Sequence, residues 1–178
     1  MLKPVVKFIH PNADSQRFFS TLRKNVDQYF QENNLSKHWN KTLIIKTVVL
    51  LSAYILPYIL LITLRPGWPL ELMLWFIMGF AMAGVGMNVM YDANHGAYSS
   101  NKRVNYWMGH TLNLLGASVL NWKLQHNVLH HTYTNIVNMD DDIGDKAIMR
   151  FSPHTKANWY HKLQFVYAFL FYSLSTLF

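Results

Sequence analysis

Two apolar runs follow one another between Leu43 and Met90: LIIKTVVLLSAYILPYILLITL over residues 43–64 and LMLWFIMGFAMAGVGMNVM over residues 72–90, joined by RPGWPLE. An α-helix rises about 1.5 Å per residue and the hydrocarbon core of a bilayer is about 30 Å thick, so about 20 apolar residues suffice to cross it. Both runs qualify. The first carries a single charge, Lys46, near its start, where a long side chain can reach back to the interface. Pro57 within it predicts a kink, tolerated where neighbouring groups satisfy the freed carbonyl. The connecting segment combines two prolines, a glycine and Trp68, which suits a tight turn at headgroup depth. In the second run Gly79, Ala83 and Gly86 form a small-residue stripe that predicts close helix approach. Residues 43–90 therefore read as a transmembrane hairpin.

Charge is distributed to match. Charged residues make up only 14% of the chain, against roughly 25% in a soluble domain. The formal net charge is nevertheless +7. Seven of the sixteen Lys and Arg precede the first run and seven follow the second, whereas the turn carries only Arg65, offset by Glu71. Basic residues that flank apolar spans orient a membrane protein, and they form no single patch interleaved with aromatics, so nucleic acid is excluded as a partner. The rule places both ends of the hairpin, and everything after Met90, on the cytoplasmic side. Cysteine is absent, which removes disulfides, thiolate metal sites and thiol nucleophiles. Any metal must be held by histidine and carboxylate.

The remaining segments are helical in pattern. SQRFFSTLRKNVDQYFQE places Phe18, Phe19, Leu22, Val26, Tyr29 and Phe30 at helical spacing, with Asp14 or Ser15 as its cap. That amphipathic helix either lies on a membrane surface or packs on its own protein. No secretory signal is present, because no short basic start leads into an apolar stretch with a small-residue cleavage site. TLNLLGASVL (111–120) is too short and polar to span and reads as an interfacial or buried helix. LQFVYAFLFYSLSTLF (163–178) has the form of a third membrane helix cut short, with a short interfacial anchor as the rival. The fold class is all-α, an integral membrane helical protein, and the shape of the last segment suggests a fragment.

The chemistry is carried by histidine. QHNVLHH (125–131) holds three of the nine histidines. On an α-helix His126 and His130 lie about 40° apart around the axis and share a face, and His131 is turned about 100° further. Such a pattern suits two adjacent metals, with His126 and His130 gripping one and His131 serving the other or a bridge. A zinc peptidase needs Glu directly after the first histidine as general base; Asn127 stands there. At the end of the second span MYDANHG puts His95 four residues after Tyr91, with Asp92 and Asn94 available to hold ring orientations. His110 reads as a hydrogen-bonding neighbour, and His10, His38, His154 and His161 as isolated polar residues. NMDDDIGD fails as a calcium loop, since Ile143 occupies the position that demands glycine. It reads as a solvated acidic loop, with support of a metal ligand or docking of an electron donor as further roles.

These residues resemble the membrane-bound fatty acid desaturases, in particular the bacterial acyl-lipid or acyl-CoA type related to front-end and linoleoyl desaturases. The likeness rests on NVMYDANHGAYSSNK as a first histidine box, NWKLQHNVLHHTYTN as a second, the DDDI that follows, and TLRKNVDQYFQENNLSK near the start. It implies a cytoplasmic amphipathic segment over 1–42 and the N-terminal part of a desaturase domain over 43–178, with spans at about 43–64, 72–90 and 163–178. It implies two iron ions, with His95, His126, His130 and His131 among their ligands, and an O₂-dependent oxidoreductase that introduces a double bond into an acyl chain. The partners implied are a membrane lipid or acyl-CoA substrate, O₂ and an external electron donor of cytochrome b5 or ferredoxin type. Imidazole suits iron, and the lipid substrate accounts for the membrane. The chain departs from the family's pattern in three places. Tyr91 stands where the first box usually has a histidine, which implies loss or alteration of one iron site. The third box has no counterpart before Phe178, and Asn138 replaces a usual glycine. The expectation is an incomplete desaturase that does not act alone; a lipid hydroxylase of the same histidine framework and a catalytically inactive membrane remnant are the alternatives.

Overall fold

The computed structural model describes residues 8, 12–38, 40–144 and 148–173. Among them helices account for all the regular structure, as the periodicity predicts. The first, α1 (Ala13–Glu32), is capped by Asn12, whose side chain accepts from Ser15 N at 2.8 Å. Asp14 and Ser15, the caps expected from sequence, lie within the first turn instead. Asparagine caps as well as aspartate or serine, and Asp14 inside the first turn still complements the helix dipole. No residue of α1 is buried. Its apolar face, Phe18 and Phe19 included, is open, so among the described residues it does not pack on its own protein. The segment after it is tied back by an ion pair between Lys37 and Asp27.

The hairpin forms as expected. The first arm, α2 (Lys41–Leu64), is capped by Asn40 and ends on Arg65 in the left-handed conformation, φ 46°, directly before Pro66. An αL residue followed by proline is a strong helix stop. Pro57 lies buried inside α2 without ending it. The second arm begins at α3 (Trp68–Val85), with proline in its first turn, and runs on through a π-helical turn (Gly86–Met90) into α4 (Tyr91–Asn94). Lys41–Leu64 and Trp68–Asn94 are the two described helices long and apolar enough to cross a membrane. Their outward faces carry exposed Ile45, Val49, Trp75, Phe76 and Phe80, the apolar surface that a lipid-facing hairpin presents.

Between the arms the contact is made by a different small residue from those expected. A Cβ on Gly84 would stand 2.5 Å from Leu50 Cδ2, whereas Gly79 and Gly86 face open space. The reason is helical phase. Ala81 and Val85 are buried against α2, Gly84 shares their face, and Gly79 and Ala83 line an outward groove with Trp75 and Phe80. Lys46 is also satisfied within the hairpin: its Nζ donates to Asn88 Oδ1 at 2.7 Å, and the Asn88 amide donates to the Gly84 carbonyl at 2.9 Å.

The remaining helices gather at the end of the second arm. They are α5 (Lys102–Gly109), α6 (Thr111–Leu114), α7 (Val119–Trp122), a second π-helical segment (Lys123–His130) and α8 (His131–Tyr133). Two small cores hold them. Val85, Val89, Ala93 and Tyr98 pack with Leu43, Leu50 and Met108, and the Tyr98 hydroxyl lies 2.9 Å from buried Thr47 Oγ1 on the first arm. Met90, Leu112 and Val119 form the second core with Trp122 against it; within the 111–120 stretch Leu112 and Val119 are buried while Leu114 and Leu120 are exposed, so it combines features of its two readings. Asn94 fastens α5 by donating to the Gly109 carbonyl at 3.2 Å, an approach so close that a Cβ on Gly109 would lie 2.5 Å from Asn94 Oδ1. A short 3₁₀ turn (Trp159–Leu163) leads into α9 (Gln164–Ser173); the rest of the expected third span, 174–178, lies outside the described residues.

Candidate metal centre

Two helix ends that differ in register are brought face to face. His95 terminates α4, and His126, His130 and His131 occupy the π-helical segment and its exit into α8. In an α-helix residues five apart point about 140° away from each other. The wider π turn, bonded i to i+5, returns such residues toward one face. His126 and His131 accordingly have ring centroids 4.9 Å apart, and His95 lies 5.2 Å from the first and 5.0 Å from the second. Each of the three offers a nitrogen within 4.8 Å of the others. α-Helical spacing pairs His126 with His130 and turns His131 elsewhere. Those two rings do stack, at 5.2 Å and 19°, but the nitrogens that converge belong to His95, His126 and His131.

His130 belongs to a second group, with Asp140 and Asp142. Its Nδ1 lies 3.0 Å from Asp140 Oδ1 and 3.0 Å from Asp142 Oδ2. Asp140 is 1% exposed and also accepts from Asn135 N at 2.8 Å and Asp142 N at 3.0 Å. The acidic stretch is therefore not simply a solvated loop: one of its carboxylates is the buried support of a histidine. With Nδ1 committed to carboxylates, Nε2 is the nitrogen that His130 has left to offer.

The electrostatics separate the two groups. Burial lowers the pKa of His95 below the ordinary imidazole value, helped by His131 and opposed by Asp92. Burial lowers His126 as well, with the three neighbouring imidazoles acting in the same direction. Both changes favour the neutral ring, the form that binds metal. His130 is held above the ordinary value, chiefly by its hydrogen bond to Asp140. Burial pushes the Asp140 carboxyl up, but its bonds from Asn135, His130 and Asp142 prevail and leave it lowered.

Two buried polar atoms bear on what the site can hold. Nε2 of His95 and Oδ1 of Asn127 are buried and have no hydrogen-bond partner, a costly condition for a polar group. An imidazole nitrogen aimed into a cluster of imidazoles and left unpaired fits a metal ligand. The donor set, imidazole with nearby carboxylate, is one that iron accepts.

Three contributors were not identified as such in the sequence. Trp122 stacks on His126 at 4.5 Å and meets His95 edge-on at 5.4 Å; its position four residues before His126 was the available signal. Asn127 donates to the Asn94 carbonyl at 3.0 Å and ties the two histidine segments together. Asp140, named only as part of an acidic stretch, is the third. Asn94 turns its side chain to Gly109 rather than to a histidine ring. His110 belongs to neither group: its Nδ1 lies 2.7 Å from the Tyr106 carbonyl, with the ring against Tyr106. His161 accepts from Asn158 N at 3.0 Å in a capping box.

Comparison with known proteins bears on the family. The family model described as fatty acid desaturase matches residues 66–178. An sn-1 linoleoyl-lipid 6-desaturase of Arthrospira platensis is 36% identical over 160 residues, covering 87% of this chain and 44% of that protein. An acyl-lipid (8-3)-desaturase of Physcomitrium patens is 32% identical over 165 residues, 92% of this chain and 34% of that protein. An sn-1 linoleoyl-lipid 6-desaturase of Synechocystis is 33% identical over 150 residues, 84% of this chain and 42% of that protein. The chain thus spans less than half the length of these curated relatives. No solved structure matches it.

Proposed function

The chain belongs to the fatty acid desaturase family, and from that premise we propose that His95, His126, His130 and His131 are ligands of a pair of iron ions in an enzyme that desaturates acyl chains. The observation that carries this reading is the buried, unpartnered Nε2 of His95 among the His126 and His131 rings. The iron pair, supplied with O₂ and two electrons, provides the oxidising power needed to remove hydrogens from an unactivated methylene.

The chain's own residues account for the rest. His95, His126 and His131 converge on one ion, and His130 offers Nε2 to the second. Asp140 fixes the His130 ring and its tautomer. Trp122 covers one face of His126 and excludes water from it. Asn127 holds the two histidine segments in register through the Asn94 carbonyl.

The membrane hairpin sets the substrate and its approach. An acyl chain enters from the lipid, and the relatives' names support a lipid-linked chain over acyl-CoA. Basic residues on both sides of the hairpin support a cytoplasmic position for the histidines, where an external electron donor of cytochrome b5 or ferredoxin type reaches them. The open apolar face of α1 supports its lying along the same membrane surface.

Metal analysis tests the reading. The purified chain, loaded with ferrous iron, is expected to retain iron, two ions marking an intact centre, and His126→Ala to lose metal. A chain that folds, by circular dichroism, and retains no more iron than its His126→Ala variant overturns it. Profiling lipids of a host that supplies an electron donor distinguishes a new double bond from a new hydroxyl.

A further inference from the structure

Tyr91 stands inside the histidine cluster. Its hydroxyl lies 3.2 Å from His126 Nε2. Its ring lies 4.7 Å from the His95 ring, 5.2 Å from that of His126 and 5.7 Å from that of Trp122. The position is built by the backbone. Tyr91 is the first residue after the π-helical turn, and His95 N donates to its carbonyl at 3.1 Å, so the two side chains emerge one helical turn apart on the same face.

From this placement we infer that Tyr91 is a metal ligand, supplying a phenolate oxygen beside the imidazoles of His95, His126 and His131. The inference rests on the iron-centre reading above and extends it to a donor of a different chemical class. Geometry is the first argument. Nitrogen and oxygen donors sit about 2.0–2.2 Å from a small transition-metal ion, so two that bind side by side stand about 3 Å apart, and the Tyr91 oxygen and His126 nitrogen have that separation.

Charge is the second argument. The His130 group includes two carboxylates, whereas the donor set of His95, His126 and His131 includes none among the described residues; Asp92 and Asp142 act on its rings through their charge without belonging to that set. Three neutral imidazoles give a ferric ion no directly bound anion in a partly desolvated place, where an unpaired charge is expensive. A phenolate is the anionic donor that Tyr91 puts there. Binding forms an iron–oxygen bond and breaks the phenolic O–H bond; the proton passes to water, and no electron is transferred.

A ferric phenolate absorbs visible light through ligand-to-metal charge transfer, and an all-imidazole ferric site does not. The purified full chain, loaded with ferrous iron and then exposed to air, is expected to be coloured, with resonance-enhanced tyrosinate ring vibrations that shift when the tyrosines are ring-deuterated. This measurement needs no variant, so it does not depend on a substitution folding. Tyr91→Phe is expected to abolish the band, and Tyr91→His to retain iron without it. Bound iron with no tyrosinate vibrations in the wild-type chain overturns the inference while leaving the iron centre standing. So does a band that survives in Tyr91→Phe. Failure to bind iron at all removes both.

Discussion

The Nδ1 of His130 is held 3.0 Å from Asp140 Oδ1, and the carboxylate that holds it is almost fully withdrawn from solvent. Both bonds that Asp140 accepts from backbone N–H groups, at Asn135 and Asp142, fix its orientation before any metal arrives. A carboxylate behind a metal-binding histidine sets ring orientation and tautomer, and losing such support commonly costs about 10–100-fold in metal affinity. Asp140→Asn is therefore expected to weaken iron binding by about that factor and to lower the pKa of His130, since Asp140 is the chief group that raises it, with Asp142 adding to it. Competition with a calibrated chelator gives the affinity. Unchanged affinity would show that Asp140 does not act through His130.

The opposite displacements of the histidines predict two steps in the pH dependence of metal retention. A ligand must be neutral to bind, so metal competes with protons at each ring. His130 is raised above the ordinary value of 6.5, so as pH falls its ring is protonated first, before that value is reached. His95 and His126 are lowered, so their rings stay neutral to pH below 6.5. Retention is expected to fall in an upper step that vanishes in His130→Ala and a lower step that persists. Metal content after equilibration at graded pH measures both; a single step unaffected by His130→Ala would contradict the assignment.

The proposed sidedness is open to chemical labelling, because the chain has no cysteine of its own. Single cysteines at Ser36 and Asn101 flank the hairpin, and one at Trp68 lies in its turn. In sealed inside-out bacterial inner-membrane vesicles an impermeant thiol reagent is expected to modify the first two and spare the third until detergent is added. Reaction at Trp68→Cys alone would invert the topology.

α1 gives a second use for that property. Phe19 and Gln28 are nine residues apart, about 180° around a helix, and both are exposed. An environment-sensitive fluorophore on Phe19→Cys is expected to report an apolar setting in membranes, and the same label on Gln28→Cys an aqueous one. Equal spectra would argue against an interfacial α1.

What the sequence disclosed was governed by period. Runs of span length bounded by Arg65, Pro66 and Pro69 define the hairpin without tertiary information, and three histidines in six positions mark the site. The errors came where the helix ceased to be α. Spacing rules built on about 100° per residue separate His131 from His126, and the π-helical segment brings them together. Gly84 was passed over for a related reason: Gly79, Ala83 and Gly86 have the small-residue spacing, but the face turned toward α2 is set by Ala81 and Val85, which only packing reveals. Asp140 lies among four carboxylates of like appearance in NMDDDIGD; Asp142 also reaches His130 Nδ1 at 3.0 Å, and burial is what separates Asp140 from it.

The hairpin contact yields the last prediction. Within lipid, apolar helices gain nothing from hiding apolar surface and associate through close packing, so the place where backbone meets side chain decides how well the arms fit. A Cβ at Gly84 would come within 2.5 Å of Leu50 Cδ2 and 3.2 Å of Cδ1. Both are the far ends of a flexible side chain, so Gly84→Ala displaces Leu50 rather than the backbone, and overpacking of this kind typically costs about 1–3 kcal/mol. A branched residue such as Ile cannot be accommodated this way and is expected to separate the arms. Two contacts that bridge them report the damage: Lys46 to Asn88 and Thr47 to Tyr98. Because Tyr98 lies in the same core as Ala93, two residues before His95, loosening the arms is expected to reduce iron retention as well as stability. Thermal denaturation in detergent should show a lowered midpoint for Gly84→Ala, restored toward wild type by adding Leu50→Ala, which empties the space the new methyl needs. A double variant no more stable than Gly84→Ala would place the damage somewhere other than Leu50.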